Sequence, residues 1–129
     1  MNVLLLGTHI ALWAIADSPK LPAAARDLIL APTSTIYVST ASIWEIAIKH
    51  MLQRGDMPLS GEAALHYFRQ AGYRIPPIEA VHVTAVESLP LHHHDPLDRL
   101  LVAQALTEPL RLISHDRRVA QYSDTVVLV

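Results

Sequence analysis

Short apolar strands alternate with helical segments along the whole chain, and this alternation is the feature that most constrains its fold. Runs rich in aliphatic and β-branched residues predict strands over 2–6, 35–40, 73–78, 110–114 and 125–129. Helical periodicity and capping signals predict helices over 8–16, 18–30, 42–55, 61–72, 79–90, 95–108 and 115–122. Helical crossovers between strands favour a parallel sheet covered by helices on both faces. We therefore predict an α/β fold.

The length and composition fit one soluble domain over residues 1–129. The chain is 51% hydrophobic and carries a formal net charge of −2, so it can bury a core but lacks the basic excess of a nucleic-acid coat. The absence of cysteine excludes disulfides and thiolate metal sites. No apolar run reaches the roughly 18 residues of a membrane span, and the start of the chain lacks signal-peptide regions. We therefore expect a cytoplasmic protein with no membrane partner.

Carboxylates follow strands or begin helices in three separate segments of the chain. Glu45 lies early in the predicted helix that follows the second strand, and Asp95 and Asp98 begin a later helix. Asp116 lies two residues after the fourth strand. Ligands of parallel sheets bind beyond the carboxyl ends of the strands, where converging carboxylates repel one another unless a cation neutralises them. Oxygen ligands of this kind suit Mg²⁺ or Mn²⁺ and the hydrolysis of phosphodiesters.

Each of these acids also fits a helix cap. In "SIWE", Ser42 would be the N-cap and Glu45 the third residue of a capping box. In "DPLD", Asp95 would be the N-cap, and Asp98 would interact favourably with the dipole of the first turn. Asp116 could cap the last helix. Taken singly, each acid is more often a cap than a ligand, and Asp95 fits the cap best; the joint pattern favours a metal site.

Histidines and arginines flank the acidic residues. The tract "HHH" at 92–94 could hold zinc or nickel, but consecutive side chains point in different directions and rarely meet at one metal. We therefore expect a solvated loop before the helix. Arg99, Arg117 and Arg118 either hold a phosphate backbone or are solvated helix residues, and the sequence leaves both readings open.

The first strand ends at Gly7, in the stretch "LLLGTH". A turn from a buried strand into a helix is a place where catalytic side chains often lie, and here the position has no side chain. The segments "LLLGTHIALW", "STASIWEIAIKH", "HHHDPLDRLLVAQA" and "LISHDRRVAQY" resemble the successive motifs of PIN-domain ribonucleases of the VapC toxin type. The order and spacing of the motifs match from one end of the chain to the other.

This resemblance implies a three-layer α/β/α PIN-like fold with a central, mostly parallel sheet. It implies the toxin component of a type II toxin–antitoxin system, an endoribonuclease that depends on Mg²⁺ or Mn²⁺. The catalytic and metal-binding acids of the family fall on Glu45, Asp98 and Asp116, and its first acid, in a "DTH" motif, falls on Gly7. We expect these acids to cluster with Gly7 at one edge of the sheet, and Asp95 to lie further out as a cap.

Glycine at position 7 removes one of four carboxylates. Its loss is expected to weaken the metal site and to misplace the attacking water, which would lower the rate roughly 10³-fold or more. We therefore expect an inactive or impaired chain, because of an inactivating substitution or as a natural pseudo-enzyme. Two other classes remain: a non-catalytic PIN-like module that binds antitoxin or RNA, and a receiver-like signalling domain. A receiver needs a lysine after a late strand, and neither Lys20 nor Lys49 is so placed.

The resemblance also implies partners. These are an RNA substrate, a cognate antitoxin and a second copy of the chain, in a homodimer, or with antitoxin in a heterotetramer or larger assembly. The antitoxin is expected to pack on the helix over 42–55 and on the loop that follows. Apolar side chains of this region would form the contact: Trp44, Ile48, Met51, Leu52, Met57 and Leu59.

Overall fold

The computed structural model describes residues 2–53 and 57–129, which hold a parallel sheet of four strands. The strands are β1 (Asn2–Leu6), β2 (Ser34–Tyr37), β3 (Arg111–Ser114) and β4 (Val127–Leu128). Their order across the sheet is β2-β1-β3-β4, and each neighbouring pair is parallel. The predicted α/β fold with a central parallel sheet flanked by helices is confirmed.

Seven α-helices accompany the sheet within the described residues. They are α1 (Thr8–Ile15), α2 (Ala23–Leu30), α3 (Thr40–Met51), α4 (Gly61–Gln70), α5 (Ala80–Ala85), α6 (Pro96–Thr107) and α7 (Arg117–Ala120). Among these helices, none is both long enough and apolar enough to cross a membrane.

The sheet separates two apolar cores. Successive side chains of a strand point to opposite faces, so Leu4 and Leu6 pack with α1 to α4, where Phe68 is fully buried. Leu5 packs on the other face with α6 and α7, against Val102 among others. Strand β1 is therefore central and buried on both faces, which places its carboxyl end in the middle of the sheet edge.

Helix α3 begins earlier than predicted. Its N-cap is Ser39, whose hydroxyl accepts a hydrogen bond from the backbone N–H of Ala41 at 3.0 Å. The predicted capping box on Ser42 and Glu45 is therefore wrong. The Ser42 hydroxyl is buried and instead accepts a hydrogen bond from the Thr8 hydroxyl at 3.0 Å. The helix ends at Met51, and the predicted end at Gly55 lies outside the described residues.

The segment 73–78 is not a strand. It makes one isolated parallel bridge, between Arg74 and Tyr37, on the outer side of β2. Pro76 and Pro77 follow, and proline has no backbone N–H with which to continue a ladder.

The predicted helix over 79–90 is shorter and divided. Helix α5 ends at Ala85, and a 3₁₀ turn over Val86–Ser88 follows it. The β-branched valines and threonine of this segment have low helix propensity, and Pro90 ends it. The chain then passes through the histidine tract to α6 in a loop rather than in a helix.

A candidate metal centre at the sheet edge

The four positions matched to the acidic site line one cleft of about 280 Å³. Gly7 follows β1 directly, and Asp116 lies two residues after β3. Glu45 projects from the second turn of α3, and Asp98 is the third residue of α6. Three separate segments therefore bring carboxylates to the cleft at the carboxyl ends of the central strands.

Asp95 acts as the cap of α6. Its carboxylate accepts hydrogen bonds from the backbone N–H groups of Leu97 at 2.9 Å and Asp98 at 3.0 Å. It lies at the exposed rim of the cleft. The capping role expected for Asp95 is the one the geometry gives it.

The surroundings of Asp98 shift the pKa of its carboxyl, although 36% of the side chain is exposed. Burial raises its pKa, and the negative charges of Asp95 and Glu45 raise it further. A hydrogen bond from His93 opposes these effects, because Nε2 of His93 lies 2.7 Å from Oδ2 of Asp98. A positive charge beside Asp98 would favour its ionised form and oppose the effect of burial.

His93 was not among the predicted site residues. Only 7% of its side chain is exposed, and its Nε2 lies 2.7 Å from Asp98 Oδ2 and 3.4 Å from Asp116 Oδ2. His92 and His94 are exposed. The three rings indeed do not converge on one point, but the expectation of a solvated loop is wrong for the middle one. The only sequence signal was its place five residues before Asp98.

Asp116 is held by the helix that it caps. Slight burial alone would raise the pKa of its carboxyl, but hydrogen bonds from Arg118 outweigh burial and leave the pKa below its usual range. The backbone N–H of Arg118 donates to Oδ1 at 2.9 Å, and its Nη2 donates to Oδ2 at 3.3 Å. Asp116 therefore caps α7 and lines the cleft at once.

Glu45 also has a partner within the chain. Its Oε2 accepts a hydrogen bond from Nζ of Lys49, one helical turn later, at 2.8 Å. Glu45 is the less exposed of the two, with 12% of its side chain exposed against 37% for Lys49. Each of the three acids thus has a partner within the chain: Lys49 lies beside Glu45, His93 beside Asp98 and Arg118 beside Asp116. These contacts oppose part of the repulsion that a bound cation would relieve.

Gly7 adopts a backbone conformation open to any residue. Its φ is −61° and its ψ is 159°, and its N–H donates to the carbonyl oxygen of Ile113 at 2.9 Å. A Cβ at this position would lie 3.1 Å from the same oxygen, so strand β3 would have to yield by a few tenths of an ångström. Backbone torsion therefore does not demand glycine here.

The three predicted RNA-binding arginines differ in their surroundings. The guanidinium of Arg99 donates to the carbonyl oxygens of Pro90 and Leu89 at 2.9 and 3.3 Å, to two further carbonyls, and to the Tyr122 hydroxyl. Arg118 lines the cleft and Arg117 is exposed. The internal contacts of Arg99 account for its side chain without any nucleic acid.

The donor set fits a hard divalent cation. One carboxylate oxygen each of Asp98 and Asp116 lie within 4.8 Å of each other, with a ring nitrogen of His93 as close to both, and Glu45 lines the same cleft. Carboxylate oxygens are the ligands that Mg²⁺ and Mn²⁺ prefer. A cation here would have to compete with Lys49 for Glu45.

The structure brings a second group of possible ligands together: Glu79, His82 and Glu108. Nδ1 of His82 accepts the backbone N–H of Glu79 at 2.9 Å, and its Nε2 contacts Oε2 of Glu108 at 2.5 Å. Both ring nitrogens are used, so this group ties α5 to the end of α6, and the imidazole of His82 has no lone pair left for a metal.

An apolar groove of about 610 Å³ lies beside the cleft. It is lined by apolar and aromatic side chains of α1, α4 and the loop before α4, including Trp13, Leu59 and Tyr67, and His9 borders both groove and cleft. On α3, Trp44 and Met51 are 57% and 71% exposed. The rest of the predicted antitoxin contact is mixed: Leu52 is exposed, Ile48 is half-buried, and Met57 and Leu59 are half-buried against the core.

Comparison with known proteins places the chain in one family. Residues 4–124 match the PIN domain family. The crystal structure of VapBC2 from Rickettsia felis bound to a DNA fragment from their promoter contains a similar chain, with a TM-score of 0.69, 18% identity, and 98% of this chain and 97% of that chain covered. The crystal structure of FitAcB from Neisseria gonorrhoeae contains another, with a TM-score of 0.64, 17% identity, and 98% and 96% covered. At these identities the likeness is one of fold. No curated protein matches the sequence.

Proposed function

The chain belongs to the PIN-domain family, and on that premise we propose that it is the toxin of a type II toxin–antitoxin system of the VapC type. PIN domains are in general metal-dependent nucleases. The proposed parent activity is an endoribonuclease that hydrolyses RNA phosphodiester bonds with Mg²⁺ or Mn²⁺. One observation carries the proposal: Glu45, Asp98 and Asp116 come from three separate segments and line one cleft beside Gly7.

In the parent activity Asp98 and an acid at position 7 would hold the principal metal, and Glu45 and Asp116 would complete the site or orient water. When bound, the ion would supply a polarised phosphoryl oxygen and a more acidic water. The raised pKa of Asp98, which burial causes, supports its assignment as the principal ligand, because a cation beside it would relieve the cost of its charge.

The arginine side chains of the cleft would bind the phosphate backbone of the RNA substrate. Arg118 lines the cleft and remains mostly exposed, with 62% of its side chain accessible. Its guanidinium has further donors that can reach a phosphate while the backbone N–H still caps α7. Arg117 is exposed on the same short helix. We do not extend this role to Arg99, whose guanidinium is engaged by backbone carbonyls and a hydroxyl.

Gly7 leaves this site short of one ligand at the tip of its central strand. The first acid of the PIN-domain motif would lie at this position, directly after the end of β1, where Leu6 pairs with Ile113 of β3. Its absence is proposed to make the chain inactive or impaired, with a loss of roughly 10³-fold or more. The backbone torsions of Gly7 suit an aspartate, and restoring the acid requires strand β3 to yield by a few tenths of an ångström at the carbonyl oxygen of Ile113.

A cognate antitoxin is the proposed protein partner. The exposed Trp44 and Met51 form an apolar stripe on α3, and the groove around Trp13 and Leu59 opens towards the acidic cleft at His9. A segment with apolar side chains in the groove and one basic side chain in the cleft would satisfy both surfaces. The fold likeness to chains of VapBC2 and FitAcB complexes supports a partner of this kind.

A second candidate is a non-catalytic PIN-like module that binds antitoxin or RNA. Two observations favour it: Gly7 offers no carboxylate, and Lys49 already pairs with Glu45. Both candidates share the fold and the partner surface, so only the chemistry of the cleft separates them.

The deciding experiment restores the acid. Gly7→Asp, Gly7→Asn as a matched control without charge, and the double variant Gly7→Asp with Asp98→Asn are compared with the parent chain for RNA cleavage in Mg²⁺ or Mn²⁺, with EDTA controls. We expect EDTA-sensitive cleavage by Gly7→Asp alone. Equal EDTA-sensitive cleavage by the parent would show that position 7 is not a ligand, and a silent Gly7→Asp would favour the binding module.

The partner is tested separately. The chain is mixed with the protein encoded beside its gene and examined by size-exclusion chromatography with light scattering. We expect a stable complex that Trp44→Glu or Trp13→Glu weakens, and self-association of the chain alone. A monodisperse monomer with no affinity for that protein would contradict the toxin–antitoxin assignment.

A further inference from the structure

His93 occupies the space between two of the carboxylates that would hold the metal. Its Nε2 lies 2.7 Å from Asp98 Oδ2 and 3.4 Å from Asp116 Oδ2, and only 7% of its side chain is exposed. The resembled motifs assign no role to this residue. A ring placed there either donates a hydrogen bond to the acids or ligates the ion beside them.

The other nitrogen of the ring decides between these two roles. Nδ1 of His93 lies 3.1 Å from the backbone nitrogen of His94 and accepts its N–H. A nitrogen that accepts a hydrogen bond carries no proton, so the proton of the ring is on Nε2. A protonated Nε2 has no lone pair for a metal. It can only donate, and the acceptor is Asp98 Oδ2.

The loop that carries the ring is fixed on both sides of the residue. The backbone N–H of His93 donates to the Tyr122 hydroxyl at 3.0 Å, and the Tyr122 hydroxyl also lies 3.3 Å from the His93 carbonyl oxygen. Arg99 binds the same hydroxyl and the carbonyl of Pro90. The ring is therefore held in place by contacts that do not involve the acids.

We propose that His93 is a positioning residue that bridges Asp98 and Asp116 in the metal-free chain and competes with the cation for them. The inference rests on the metal site proposed above. The N–H of the ring stabilises the two carboxylates when no ion is present, and an ion between them would displace that contact. A group that stabilises only the empty site lowers the affinity for the ligand.

Removing the ring should therefore strengthen metal binding, which is the opposite of what removing a ligand does. His93→Ala is expected to bind Mn²⁺ roughly tenfold more tightly or better, as the loss of a charge-assisted hydrogen bond from the empty site implies. The metal-free variant should melt at a lower temperature than the parent, and Mn²⁺ should raise its melting temperature more. A purely structural residue would lower the melting temperature without raising the affinity.

The experiment measures Mn²⁺ affinity by calorimetry or electron paramagnetic resonance, with no RNA present. His93→Ala and His93→Gln are compared with the parent, both in the chain as it stands and in the Gly7→Asp background. In that background the fourth carboxylate is expected to raise the Mn²⁺ affinity into the measurable range. The amide N–H of glutamine can replace the donor, so His93→Gln should restore part of the parental weakness. His94→Ala is the matched control. It removes an exposed ring but keeps the backbone N–H that donates to Nδ1 of His93.

Each outcome decides something. Weaker Mn²⁺ binding by His93→Ala would make the residue a ligand and overturn the inference, and so would an unchanged affinity in both backgrounds. If Gly7→Asp cleaves RNA while His93→Ala leaves its affinity unchanged, the inference fails alone and the proposed function stands. If no variant binds Mn²⁺, the metal site and the inference fall together.

Discussion

Nη1 of Arg99 lies 3.0 Å from the hydroxyl oxygen of Tyr122, and this contact joins α6 to the segment after α7. The same guanidinium donates to the carbonyls of Val86, Leu89 and Pro90. One side chain thus satisfies the polar backbone of the loop that leads into the histidine tract. An arginine used in this way supports the fold rather than a ligand.

Arg99→Ala should therefore destabilise the protein strongly. Several half-buried carbonyls would lose their donor, which costs about 2–4 kcal/mol in the free energy of unfolding. Arg117→Ala, at an exposed position on α7, should change it by less than about 0.5 kcal/mol. Urea unfolding of the two variants measures the difference. If Arg99→Ala kept its stability and lost only RNA binding, the side chain would serve RNA binding and not the support of the loop.

Much of the site followed from the topology that the sequence predicts. Gly7 follows β1 directly and Asp116 lies two residues after β3, and parallel strands present their carboxyl ends at one edge of the sheet, so their meeting could be foreseen. Glu45 and Asp98 lie in the opening turns of helices that start near that edge. Sequence reasoning needed only the order of the elements for this.

The remaining features depend on contacts between distant segments. His93 turns inward because Arg99 and Tyr122 fix its loop, and Tyr122 is 29 residues away from it. Likewise, Ser39 and Ser42 are both good N-caps, and the hydrogen bond from Thr8 to Ser42 uses the second one elsewhere. No local pattern reports such partners, so neither the histidine nor the start of α3 could be predicted.

Gly7→Ala tests whether glycine is needed at the strand tip. The added Cβ meets the carbonyl oxygen of Ile113 at 3.1 Å, which opposes folding, while the loss of glycine's freedom in the unfolded chain favours it. We expect the two effects to leave the free energy of unfolding within about 1 kcal/mol of the parent. Gly7→Asp should be less stable than Gly7→Ala without metal and should recover with Mn²⁺. A collapse of Gly7→Ala in urea unfolding would mean that the turn requires glycine.

Asp98→Asn should stabilise the metal-free protein at neutral pH. Burial, then the charge of Asp95, raises the pKa of Asp98, so its charge opposes folding. This cost is absent below the unfolded pKa of about 3.9 and is complete above the higher folded pKa. The gain from asparagine should therefore grow as the pH rises through that window, as urea unfolding at several pH values would measure. Mn²⁺ should stabilise the parent more than Asp98→Asn; a variant that is less stable at every pH would contradict this account.

His9 should make the protein sensitive to mild acid. Burial lowers its pKa, and the positive charge of Lys49 lowers it further, although the charges of Glu45 and Asp98 oppose this. Above the unfolded pKa of about 6.5 the ring is neutral in both states and contributes nothing to the pH dependence. As the pH falls below that value, the unfolded chain takes up a proton that the folded chain resists, so stability declines.

His9→Asn should remove this part of the acid sensitivity. The free energy of unfolding is measured in urea at about pH 7.5 and about pH 5.5, on either side of the unfolded histidine pKa. The drop between the two should be smaller for His9→Asn than for the parent. His66→Asn, which removes an exposed histidine of α4, controls for the loss of one imidazole and should leave the drop close to the parental one. The His9 ring would not be the source of the pH dependence if the parent and His9→Asn lost equal stability on acidification.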